Sequence, residues 1–228
     1  MEKQGEMLVA LENRAYNYLL FKSVFGTEPN RELLEAVCSD ASRQALAVFA
    51  LEDDASFSEA FIRAQTVMDA IIANLDETLE ALKSEYTRFF IGPSNPKASP
   101  WESTYTSYQR SLFQESTLEV RNAYRAQGFL PADYPRVADD HIALECAFMA
   151  QLGDRARAAY EAGDAELLKT ALEASLRFLE DHLLVWVPAF TEKLAGDVDA
   201  LLYPGMALLL SEYLKVDQAL LGELLAEV

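Results

Sequence analysis

Apolar residues recur at helical spacing along nearly the whole chain, and that periodicity leaves few folds open. Leu8, Leu11, Ala15, Tyr18, Leu19 and Leu20 fall at three- and four-residue steps, with Glu12 and Asn13 between them. This is the stripe of a helix that buries one face. It returns from Ser58 to Ala73 through Phe61, Ile62, Met68, Ile71 and Ile72. No alternating strand pattern of useful length and no repeat at a fixed period is present. The expectation is an all-α fold, a single helical-bundle domain over residues 1–228 with about nine to eleven helices.

Prolines and glycines divide the helices. "GTEPN" ends the first, and "RELLEAV" and "SRQALAVFAL" read as two short ones. "DETLEALKSEYTRFF" starts near Asp76 as a cap and stops at Gly92-Pro93. Ser103 is placed to cap a helix running to about Gln127, with Gly128 as its terminator. A further helix runs from Asp140 to Ala162. Asp164 caps the next, which reaches about Trp186, and Pro188 kinks or restarts it. Pro204-Gly205 interrupts the closing helices. The two proline-bearing loops, 92–100 and 128–139, are candidate hinges.

The balance of charge removes several functions. With 37 acids against 19 Lys and Arg, the formal net charge is -18. That disfavours nucleic acid and anionic membrane surfaces and suits either solubility or a basic partner. No apolar run reaches the roughly 18 residues of a membrane span. "MEKQGEMLVALENR" carries acids where a secretory signal has its apolar core. The expected location is cytoplasmic. Cys38 and Cys146 are too far apart in sequence for a zinc spacing or a disulfide framework, and read as small buried hydrophobes.

Chemistry-bearing residues are few. No phosphate-binding glycine loop, dinucleotide fingerprint or paired-histidine zinc motif occurs. Asp139 and Asp140 stand where a helix begins and read as caps. His141 and Glu145 lie four residues apart on one face and could hold a metal or move a proton, but no third ligand is identifiable. No metal or cofactor is expected. Phe178, His182 and Trp186 share a face and read as an aromatic core around a hydrogen-bonded histidine. Tyr86, Phe89, Phe90, Trp101, Tyr105 and Tyr108 flank the central loop. They either plug the core or form an apolar groove.

Three stretches in order, "EYTRFFIGPSNPKASPWESTY", "ADDHIALECAFMAQL" and "FLEDHLLVWVPAF", resemble the signatures of the TorD/DmsD/NarJ-like chaperones. The first carries Gly92, Pro93, Pro100, Glu102 and Ser103 of the family pattern. The second carries Asp140, His141, Glu145, Phe148 and Met149, and the third His182, Leu183, Trp186, Pro188 and Phe190. The second motif departs in having Ala138 where the family has proline. The resemblance implies a TorD-like fold and a cytoplasmic redox-enzyme maturation chaperone, not an enzyme. Such a chaperone binds the twin-arginine signal peptide of a molybdoenzyme catalytic subunit and holds it until the cofactor is inserted. It further implies peptide-binding roles for Tyr86, Phe89, Phe90, Trp101, Asp140 and His141. Gly92, Pro93, Pro100, Glu102, Ser103, Glu145, His182, Trp186 and Pro188 take structural roles, and some members dimerise by helix exchange. Two other readings stay open: a helical regulatory interaction module, and a small helical enzyme built on His141 and Glu145.

Overall fold

The computed structural model of the chain describes residues 2–50, 55–92, 96–106, 115–131, 137–197 and 199–228. They form helices α1 (Glu2–Gly26), α2 (Arg31–Val37), α3 (Asp40–Ala47), α4 (Ala55–Ala73) and α5 (Leu75–Tyr86). Next come α6 (Ser103–Thr106), α7 (Glu115–Ala126), α8 (Ile142–Ala162), α9 (Ala165–Phe178), α10 (Leu184–Ala195) and α11 (Tyr203–Glu227). A π turn, Thr87–Ile91, extends α5, and a second, Leu179–Leu183, joins α9 to α10. No strand occurs among the described residues, and the all-α expectation holds.

Helices α1 and α8 form the spine. A β-carbon added to Gly26 would sit 2.6 Å from that of Ala143, and one added to Gly153 would sit 3.1 Å from that of Ala15. Rising numbers on one helix meet falling numbers on the other, so the pair is antiparallel. Small residues at both crossings let the backbones close up, and any side chain at Gly26 would push them apart. Helix α11 covers this spine. Its Asp217 accepts from Arg14 at 2.6 and 3.1 Å and from the Tyr18 hydroxyl at 2.6 Å, all in the interior. Tyr213, one turn earlier, packs edge-on against Tyr18 and Phe49. The start of α11 is capped from a distance: the buried Glu85 carboxylate accepts from the backbone N–H groups of Leu201, Leu202 and Tyr203 at 2.7–3.1 Å. These are the N–H groups a helix start leaves without partners.

Local signals account for several helix ends. Gly128, at φ 61°, closes α7, and the Phe129 N–H reaches back to the Tyr124 carbonyl at 2.8 Å. Asp164 accepts from the Leu167 N–H at 3.0 Å, capping α9 as expected. Four details differ from expectation, and a fifth expectation falls outside the described residues. Helix α5 begins at Leu75, leaving Asp76 inside its first turn. Ser103 opens α6 but its hydroxyl caps nothing. The continuity expected from Ser103 to Gln127 crosses 107–114, which lie outside the described residues together with Tyr108. Pro188 neither ends nor restarts its helix: it sits inside α10, and the backbone departs from α geometry just upstream, in the π turn. Pro204 opens α11 in its first turn, where a missing N–H matters least, and does not interrupt it. Pro93 also lies outside the described residues, as do parts of both candidate hinges.

Candidate functional site

The three sequence motifs meet in space. The Glu102 N–H donates to the Asp140 carbonyl at 3.0 Å and the Ile142 N–H donates to the Pro100 carbonyl at 2.9 Å. Pro100–Glu102 and Asp140–Ile142 thus pair as a short antiparallel stitch centred on Trp101 and His141. Asp140 adds its side chain, accepting from the Ser103 N–H at 2.9 Å. The carboxylate caps α6 from across the fold, and α8 begins instead at Ile142. Its cap is His141, whose Nδ1 accepts from the Ala143 N–H at 3.1 Å. Asp139 is bound by Arg121 at 2.6–2.7 Å, and its carbonyl accepts from the Tyr124 hydroxyl. Sequence alone gives Asp139 and Asp140 to the helix start. The stitch gives that task to the ring next to them.

The third motif closes the site from below. His182 Nδ1 lies 3.0 Å from a Glu102 oxygen, and Trp186 Nε1 donates to Glu145 at 3.1 Å. All four side chains are buried. Burial, and then the charge of Glu102, push the Glu145 carboxyl well above its usual range, against the opposing Trp186 N–H. Burial also lowers His141 to about 4, with Asp140 pulling the other way. His141 is therefore neutral at pH 7, as its accepting Nδ1 requires.

Exposure separates the predicted site residues. Trp101 and His141 are partly exposed and meet edge to face, with ring centroids 5.1 Å apart. Asp140 is buried beneath them. Trp101 Nε1 and Asp140 Oδ1 make no hydrogen bond among the described residues. Phe89 and Phe90 plug the core: Phe90 packs on Phe25, Tyr203 and Phe190, and Phe89 on Tyr203. Tyr86 is half-buried at the edge of this second cluster, with its ring on Phe90. Tyr105 stacks against Trp186 at 5.3 Å. Gly92, at φ 51°, ends the π turn that holds Phe89 and Phe90, a conformation that favours glycine.

This arrangement gives little to an enzyme. His141 is occupied as a cap and Glu145 faces the interior, so the two do not converge on a common centre. Among the described residues no cluster of three or more His, Cys, Asp or Glu is placed to hold a metal. No described helix is long and apolar enough to cross a membrane. Nothing local in the sequence marks the Glu102–His182 pair or the Arg121–Asp139 pair, because the partners lie far apart along the chain.

A family model described as the nitrate reductase delta subunit matches residues 32–192, a span that contains the whole stitch and both of its buried pairs. The chain belongs to that family. Two relatives named chaperone protein TorD agree along nearly their whole length. That of Vibrio cholerae is 28% identical over 97% of this chain and 98% of its own. That of Vibrio parahaemolyticus is 26% identical over 93% and 96%. A probable Tat proofreading chaperone DmsD of Haemophilus influenzae is 29% identical over 56% of each chain. These relatives place the chain among redox-enzyme maturation chaperones and not among enzymes.

Proposed function

We propose that this protein works in the cytoplasm, binds the twin-arginine signal peptide of a molybdoenzyme catalytic subunit, and holds it until the cofactor is in place. The observation that carries this reading is the convergence of all three motifs behind one partly exposed edge, formed by Trp101 and His141. Trp101 and His141 touch the peptide, with Tyr86 beside the neighbouring cluster. Asp140, Phe89 and Phe90 act from behind by fixing the loop and the helix end. Gly92, Pro93, Pro100, Glu102, Ser103, Glu145, His182, Trp186 and Pro188 form the frame.

The chemistry of the edge suits such a ligand. It offers the partly exposed rings of Trp101 and His141, within a chain of net charge -18. A twin-arginine leader offers guanidinium groups and a short apolar segment. Burying about 500 Å2 of apolar surface is worth on the order of 12 kcal/mol before association and ordering costs, against about 0–1 kcal/mol for each exposed ion pair. The apolar segment sets affinity, and charge sets approach and discrimination. Helix exchange through the loops at 92–100 or 128–139 would make a dimer that presents this edge twice.

Isothermal titration with a peptide carrying an Arg-Arg pair and an apolar segment tests the reading. Trp101→Ala should weaken binding, and replacing the apolar segment by Ser and Gly should weaken it more than raising salt to about 0.5 M does. Unchanged binding by Trp101→Ala would remove the edge from the site. Salt acting more strongly than loss of the apolar segment would make charge the main term.

A further inference from the structure

A second surface lies where the first turns of α1, the end of α3 and the last turns of α11 come together. They enclose an open groove of about 580 Å3 that contains none of the motif residues. Its lining is largely apolar, with Phe49, Val216 and Leu224 buried and Met7, Ala10, Val48, Ala219 and Leu220 nearer the surface. Val48 is 39% exposed, Ala219 is exposed and Leu220 is half-buried. An open apolar groove between helix ends is a surface that receives one face of a helix, read by anchors at three- and four-residue steps.

The rim decides which helix. Glu6 and Glu223 stand along it, both exposed. Among the described residues of the lining the one basic side chain, Lys215, already contacts both Glu212 oxygens at 2.8 Å. A second copy of this chain would bring the same acids face to face on a molecule of net charge -18. An acidic partner helix meets the same repulsion. We propose that this groove is a second docking surface, for a basic amphipathic helix of a partner protein, separate from the Trp101–His141 edge. Apolar anchors fill the groove, and Lys or Arg on the flanks of the helix meet the glutamates. The proposal does not depend on the signal-peptide reading, since it uses other residues and another ligand.

Fluorescence anisotropy on the full chain tests it. The probe is a labelled synthetic helix with Leu at three- and four-residue spacing and Lys elsewhere. Its control is the same helix with Glu in place of Lys. The Lys helix should bind the parent at least about tenfold more tightly than the Glu helix. Ala219→Arg puts bulk and positive charge into the groove lining at an exposed helical position, so the fold should survive, as an unchanged thermal melt would show. It should weaken binding of the Lys helix at least about tenfold. Glu223→Arg, on the exposed rim, should weaken it by a smaller factor and flatten its loss of affinity with salt. Equal binding of both probes, no binding of the Lys helix, or full binding by Ala219→Arg would each overturn the proposal. So would sedimentation showing a parent dimer that Ala219→Arg abolishes, because the occupant would then be a second copy.

Discussion

Lowering the pH from 7.5 to 5 should destabilise this protein through His141, and the size of the effect follows from its geometry. Nδ1 accepts the Ala143 N–H at 3.1 Å, which it does only when unprotonated. Protonation removes the cap of α8, worth about 1 kcal/mol, and puts positive charge at the positive end of a helix, roughly 0.3–1 kcal/mol more. Linkage gives a second route to the number. Burial lowers the folded-state value from 6.5 to about 4. The unfolded chain takes up its proton as the pH drops through 6.5, while the folded chain resists until about 4. Stability is therefore complete above 6.5 and is lost between 6.5 and 4. At pH 5 the difference reaches about 2 kcal/mol, which partial exposure of the ring reduces to about 1 kcal/mol. The two routes agree. Urea unfolding of the parent and of His141→Asn at both pH values isolates the effect, because Asn caps well and does not titrate. The parent should lose about 1–2 kcal/mol more than the variant between pH 7.5 and 5. Equal losses would refute the cap assignment and the neutral ring with it.

Two buried groups behave in opposite ways. Asp217→Ala leaves Arg14 in the interior with no counter-charge and should destabilise by roughly 3–5 kcal/mol, a drop of the order of 10 °C in the melting temperature. Adding Arg14→Met should recover most of this in a double-mutant comparison. Glu145→Gln, by contrast, should leave the fold intact at pH 4 and make it more stable than the parent at pH 7.5. The raised Glu145 value means that the parent's stability is fully present below 4.5 and falls as the pH rises, and Gln still accepts the Trp186 N–H. Denaturation midpoints at the two pH values check this, and a variant less stable than the parent at pH 7.5 would show that Glu145 works as an anion.

What the sequence disclosed was what lies within a turn or two along the chain. The stripe Leu11, Ala15 and Tyr18 is buried, and Asp164, Gly128 and Gly163 end or start helices where their chemistry predicts. What stayed hidden crosses long separations. Asp140 caps a helix 37 residues upstream, and Glu85 caps one 116 to 118 residues downstream. A carboxylate beside a helix start reads as the cap of that helix, and nothing in "ADDHI" tells the aspartates from the histidine. His182 was legible as a hydrogen-bonded core histidine, but its partner Glu102 was not, because that pairing depends on how three separate motifs fold together. The central aromatics posed an open choice between core and groove. The structure divides them: Phe89 and Phe90 go inside, and Trp101 goes to the edge.

The two π turns fix the molecule's tolerance for changes in length. The first, Thr87–Ile91, closes α5 at Gly92; the second, Leu179–Leu183, holds an extra residue inside what would otherwise be one continuous α-helix from α9 into α10. The helix beyond is thereby rotated by about 100° relative to the helix before. Downstream of the second lie Trp186 and Phe190, which are aimed at Glu145 and at Phe90. Removing one residue there, such as the exposed Asp181, would restore ordinary winding while swinging both aromatics off their partners. Substitutions in this segment act one contact at a time. A single-codon deletion would re-aim every side chain as far as Ala195, so family members should vary here in letters and not in length.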